Sequence, residues 1–199
     1  MEKIESVCNA LARRGFKAYS VVTGKEAVEL VKKIVGKTSG IGFGGSVTVQ
    51  QLGLMDELEA NGNTLYTHWK DGASAKRKAA VADYYICSAN AVTEDGVLVL
   101  TDGSGNRVSA LSFGPSNAIV IVGENKIVPD KAAAEGRIKS GVCAGANAKR
   151  LGLSLPCTTG ECTDCDSPLR ICAVTAFFEK PSSGLENTYV LLVGQTLGY

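Results

Sequence analysis

Histidine is nearly missing from this chain. His68 is the only one, and the neighbouring Trp69 is the only tryptophan. No Ser-His-Asp or Cys-His arrangement can be assembled, and His68, at a strand end without an evident partner, reads as a surface residue rather than a general base. Excess charge is missing too. Lysine and arginine total 21 against 20 acidic residues, a formal net charge of +1. That balance gives no electrostatic reason to expect nucleic acid or an anionic membrane surface. The basic run Lys76, Arg77 and Lys78 reads as a solvated helix face. No apolar run reaches the roughly 18 residues of a membrane span. The first 16 residues alternate charged and apolar positions without the continuous apolar core of an export signal, so a cytoplasmic protein is expected. Internal repeats and Pro/Ser-rich linkers are also missing, which leaves one domain over residues 1–199.

What is present is ordinary globular composition, 45% apolar and 21% charged. Apolar residues recur at helical spacing over 1–14 and 25–35, and helices are also expected over 46–60, 73–82 and 130–151. Ser46 and Asp130 stand where N-caps are needed, and Asn61-Gly62 where a helix should stop. Strands are expected at 17–23, 39–43, 64–69, 84–88, 118–122, 171–179 and 189–195. The runs 97–101 and 107–112 flank the turn Asp102-Gly103-Ser104-Gly105 and read as a hairpin. The expected fold is therefore α/β: a largely parallel layered sheet with helices on both faces, joined by antiparallel strands from the C-terminal half.

Cysteine is abundant. Seven is an odd number, and in a reducing compartment it argues for ligands or buried thiols over a disulfide framework. Cys8 and Cys87 sit in apolar patterns and read as core residues. Cys157, Cys162, Cys165 and Cys172 fall within 16 residues at C-x4-C-x2-C-x6-C spacing, in an aperiodic Gly/Thr-rich loop. Short spacings bring thiolates together at little loop-closure cost. The first three share the spacing of plant-type iron–sulfur ligation, and Cys162-x2-Cys165 also suits zinc. An iron–sulfur cluster, zinc, and unligated or redox-active thiols all remain open, with Cys143 as a reserve ligand.

Two loops carry polar groups after predicted strands. Gly44, Gly45 and Ser46 precede a helix, a setting where backbone N–H groups can meet an anion or where the chain simply turns. Asn90, Glu94 and Asp95 follow another strand, and Asn106 and Arg107 lie just beyond the glycine-rich turn. Ligands of open α/β sheets gather at the carboxyl ends of strands. All these residues are expected around one cleft, holding a small anionic ligand.

The segments 42–48, 90–96, 105–108, 146–151, 160–172 and 193–198 together resemble the lactate-utilisation (LUD) domain family, over nearly the whole chain. The resemblance implies a Rossmann-like layered sheet similar to the sugar-phosphate isomerase and CoA-transferase type. It implies a link to oxidation of L-lactate to pyruvate, in which some members work with iron–sulfur partner subunits. Residues 93–96 are similar to the glutamate-bearing turn that supplies the nucleophile of class I CoA-transferases, which would make Glu94 catalytic. The expectations are thus an accessory redox or small-acid-binding protein of organic-acid utilisation with a cysteine-ligated centre, or an acyl-, CoA-, nucleotide- or sugar-phosphate-handling enzyme using Glu94. A zinc-stabilised binding module without chemistry is the third. A homo-oligomer is compatible with each.

Overall fold

The computed structural model describes residues 2–67 and 72–199, so the expectation for His68 lies outside the described residues. In chain order the elements are α1 (Glu2–Arg13), β1 (Lys17–Val21), α2 (Gly24–Val35), β2 (Gly40–Phe43), α3 (Val47–Gln51), α4 (Leu54–Ala60), β3 (Thr64–Tyr66) and α5 (Ala73–Ala80). Then come β4 (Tyr84–Cys87), β5 (Ala91–Thr93), β6 (Leu98–Asp102), α6 (Asn106–Ser112), β7 (Asn117–Gly123), β8 (Ile127–Val128) and α7 (Lys131–Lys139). A π-helical turn (Gly141–Gly145), α8 (Ala146–Arg150), a 3-10 turn (Pro156–Thr159), β9 (Val174–Phe178) and β10 (Asn187–Val193) complete the chain.

Six strands form one sheet in the order β1-β10-β7-β4-β2-β3, with every neighbouring pair parallel. Both faces are covered, which is why its strands read as nearly continuous apolar runs. Ile41, Phe43, Ile86, Ile119 and Leu191 meet α2, α3 and α4 on one face. Tyr85, Cys87, Val120 and Val190 point the other way, into a core shared with α1, α5 and α6. Burying one such aliphatic side chain is worth about 1.5–3 kcal/mol.

Contrary to the expectation from sequence, the antiparallel strands do not join this sheet. They build a second one, ordered β8-β5-β6-β9, in which β6 runs antiparallel to both neighbours. Leu98 and Leu100 of β6 face the first core, while Val99 faces Ala134 and Ile138 of α7. The second sheet is therefore a layer between the main sheet and the outer segment that carries the cysteines.

Three expected elements differ. Residues 107–112 are not the return strand of a hairpin but helix α6, because the Asp102 carboxylate accepts from the backbone N–H groups of Arg107 at 2.8 Å and Val108 at 2.9 Å. Side-chain capping of that kind satisfies donors a helix start leaves open. Ser46 and Asp130 do cap their helices, accepting from Val49 and Ala133. The helix after Ser46, however, breaks at Leu52-Gly53, and the one after Asp130 ends at Lys139 and gives way to the π-helical turn. Among the described residues no helix is long and apolar enough to cross a membrane.

Candidate functional site

The direction of winding reverses between β2 and β4. From β2 the chain moves outward to β3; from β4 it moves the opposite way, to β7 and then β10. Adjacent strands with diverging connections leave a crevice at their carboxyl ends. Here the crevice is walled by residues 45–48 after β2, 88–90 after β4, Lys126 after β7, and the π-helical turn with α8. The enclosed volume is about 80 Å³.

Two chain segments cross side by side from the main sheet to the second one: 88–90, between β4 and β5, and 124–126, between β7 and β8. This crossing buries Lys126, which is 4% exposed. Its ammonium donates to Thr48 Oγ1 at 2.8 Å, Ser88 Oγ at 2.9 Å and the Ala89 carbonyl at 3.4 Å. Among the described residues, no carboxylate side chain lines the crevice. Burial first, and then the positive charge of Arg137, pull its pKa from 10.5 to about 7. A desolvated cation with only neutral partners is costly unless something negative approaches it.

Arg107 has a different status. Its Nε donates to Asp102 Oδ1 at 2.6 Å, so a buried carboxylate offsets its charge. Its other donors reach the carbonyls of Ser88 (3.0 Å) and Thr101 (2.6 Å) and Asn90 Oδ1 (3.0 Å). It thus ties the ends of β4 and β6 to the start of α6. Gly44 makes room for it: a Cβ there would stand 2.6 Å from Arg107 Cγ. Asn90 is equally committed, accepting from the Thr101 amide at 2.9 Å and donating to Cys143 Sγ at 3.2 Å.

The residues expected to share one cleft are only partly together. Gly45, Ser46, Asn90 and Arg107 line it, and Gly44 packs behind Arg107. Asn106 faces away, donating to Tyr85 Oη at 3.1 Å. Glu94 and Asp95 lie at the opposite end of β5, against α1. Glu94 pairs with Lys3 at 2.8 Å, its side chain 47% exposed. Asp95 pairs with Arg14, and the Thr93 hydroxyl followed by Arg14 holds its carboxyl below the usual range. The shared-cleft expectation is corrected for Glu94, Asp95 and Asn106. The helix end behind Ser46 contributes little, since α3 is a short helix of 5 residues; the cations dominate.

Sequence reasoning missed Lys126. The available signal was a lysine between two β-branched runs, directly past a central strand's carboxyl end. Cys143, expected only as a reserve ligand, lines the crevice instead.

Cys157, Cys162, Cys165 and Cys172 line a second cavity of about 70 Å³ on the outer side of the second sheet. All seven cysteines are unpaired thiols. Cys87 is core, its thiol pushed up to about 12 by burial; Cys8 is half-buried against the same core. Among the described residues, no group of three or more His, Cys, Asp or Glu side chains is placed to hold a metal ion. The four thiols share a cavity wall without converging on one point.

No protein of curated function matches the chain. Among solved structures it is similar to the crystal structure of a DUF162 family protein from Deinococcus radiodurans, with a TM-score of 0.57, 14% identity and 97% of each chain covered. That likeness speaks to the fold alone. The sequence model of the LUD domain matches residues 4–193, so the chain belongs to the LUD domain family.

Proposed function

We propose that this LUD-domain protein serves lactate or other organic-acid utilisation by binding a small carboxylate in the crevice between β2, β4 and β7. The observation that supports this most is Lys126, a buried cation with no acidic partner among the described residues, in a crevice that no carboxylate side chain lines. An acid would displace the longest of its contacts, the 3.4 Å bond to the Ala89 carbonyl, and supply the missing negative charge. Arg107 serves as a rigid wall, its charge already matched by Asp102.

Size supports a short acid over a nucleotide or a coenzyme A ester. Sites for drug-sized ligands enclose about 300–1,000 Å³, whereas this crevice encloses about 80 Å³. The acyl- or CoA-transfer reading with Glu94 as nucleophile draws no support from geometry, since that carboxylate is exposed and ion-paired on another face. The accessory-redox reading adds an iron–sulfur cluster or zinc on the cysteine segment and an iron–sulfur partner subunit.

The test is a thermal-shift panel of L-lactate, pyruvate, acetate, phosphate, ATP and acetyl-CoA. The short carboxylates should raise the melting temperature of the parent and not of Lys126→Met. Stabilisation by the large ligands alone would refute the reading.

A further inference from the structure

Lys126 is held in a way that suits a nucleophile as well as a cation. Its nitrogen rests on two hydroxyls, Thr48 Oγ1 at 2.8 Å and Ser88 Oγ at 2.9 Å. Each hydroxyl gives its own proton to a backbone carbonyl, Thr48 to Leu197 at 3.3 Å and Ser88 to Ala89 at 3.2 Å. Both oxygens therefore meet the nitrogen as acceptors. A neutral amine keeps two N–H groups, which these two acceptors match, and gains a lone pair. The lone pair takes the third direction, that of the long 3.4 Å contact to the Ala89 carbonyl, which is where an acid enters. Little around the amine holds a proton on it. Arg137 donates to the Asn90 carbonyl at 2.7 Å, Arg107 is paired with Asp102, and among the described residues no carboxylate side chain lines the crevice. With its pKa drawn down to about 7 by burial and Arg137, the side chain supplies free amine at neutral pH. A desolvated lysine beside another cation is the usual setting of an amine nucleophile.

We propose that Lys126 forms a Schiff base with the carbonyl of a short 2-oxo acid, so that the crevice captures the oxo acid covalently and the corresponding hydroxy acid by charge alone. This rests on the crevice being an acid site. In a 2-oxo acid the carbonyl carbon is bonded directly to the carboxylate, so an amine that meets the carboxylate already stands beside the electrophile. The nitrogen adds to that carbon, the carbonyl oxygen takes up a proton, and the resulting carbinolamine loses this oxygen as water. A C=N bond replaces the C=O bond. Starting from the free amine, one proton enters from solvent and the nitrogen ends as a charged iminium; nothing is oxidised or reduced. The iminium keeps the positive charge of the ammonium, and the carboxylate on the same carbon supplies the negative partner that the crevice lacks. The enclosed volume of about 80 Å³ favours an acid with few atoms beyond the carboxylate and carbonyl.

The test uses the full chain at pH 7 with pyruvate and cyanoborohydride, which reduces an iminium to a stable secondary amine. Intact mass and peptide mapping should find one reduced pyruvate adduct per chain, on Lys126, and none with L-lactate. Exposed lysines such as Lys25 and Lys37 should label at least about 10-fold more slowly. Lys126→Met should lose the adduct, and excess L-lactate or acetate should slow trapping in the parent. No adduct on Lys126 at pyruvate concentrations that saturate the thermal shift overturns the proposal, as does labelling spread evenly over the exposed lysines. The two readings fail separately. Stabilisation by pyruvate and L-lactate without any adduct leaves the acid site standing and removes the covalent step. Trapping of acetone on Lys126 as fast as pyruvate, with no stabilisation by acetate or L-lactate, removes the acid site and leaves only a reactive amine.

Discussion

Replacing Lys126 with methionine should make the ligand-free protein more stable, the opposite of what removing a well-hydrogen-bonded residue usually does. The side chain is 4% exposed, and its pKa falls from 10.5 to about 7, through burial first and Arg137 second. Each pH unit of such a fall corresponds to about 1.4 kcal/mol, so holding the ammonium in the fold costs on the order of 4 kcal/mol at pH 7. Methionine has similar length and no charge. Its insertion strands the hydroxyls of Thr48 and Ser88, at about 1 kcal/mol each. The net expectation is stabilisation by roughly 2 kcal/mol at pH 7, read by urea denaturation in the absence of small acids. The pH dependence fixes the sign independently. The unfolded chain keeps this proton up to pH 10.5, the folded chain only up to about 7. The unfolded state thus binds more protons between those values, and parent stability rises with pH across that window. The advantage of the variant should be largest below pH 7 and shrink toward pH 10. If Lys126→Met is less stable than the parent at pH 7, with a gap that does not change with pH, the ammonium is compensated inside the fold and the argument for an anion collapses.

Other substitutions probe the frame around it. Asp102→Asn breaks the buried pair with Arg107 and weakens the cap of α6; it should cost about 3–5 kcal/mol in chemical denaturation. Gly44→Ala brings a methyl to 2.6 Å from Arg107 Cγ, in a side chain pinned at its far end, so about 1–3 kcal/mol should be lost, with weaker stabilisation by acids. Glu94→Gln removes an exposed ion pair with Lys3; stability should change by less than about 1 kcal/mol, and the response to carboxylates in thermal shift should stay the same.

The main sheet was readable because its strands are buried on both faces and bounded by turn residues: 84–88 and 118–122 appear as β4 and β7 almost unchanged. Ser46 and Asp130 were readable as caps because the signal lies within three residues of its target. What escaped depends on longer reach. Residues 107–112 alternate like a strand, and only the Asp102 carboxylate, five residues upstream, turns them into a helix. Asn90 and Glu94 look like neighbours on one loop, yet β5 carries them to opposite ends of a strand in the second sheet. Lys126 carries no local signal of burial, because its burial comes from two crossing segments far apart in sequence. The cysteine cluster was legible as a group facing one cavity; spacing carries no information on whether four sulfurs reach one point.

The most direct measurement of the central claim is proton uptake on acid binding, from calorimetric titrations of L-lactate and pyruvate at pH 7 in two buffers of different ionisation enthalpy. With Lys126 near its midpoint at about 7, a carboxylate beside it should draw roughly half a proton from solution per ligand bound. Uptake should fall toward zero at pH 5.5 and vanish in Lys126→Met. Binding with no proton uptake at pH 7, or unchanged uptake in that variant, would contradict the assignment of Lys126 as the acid's partner.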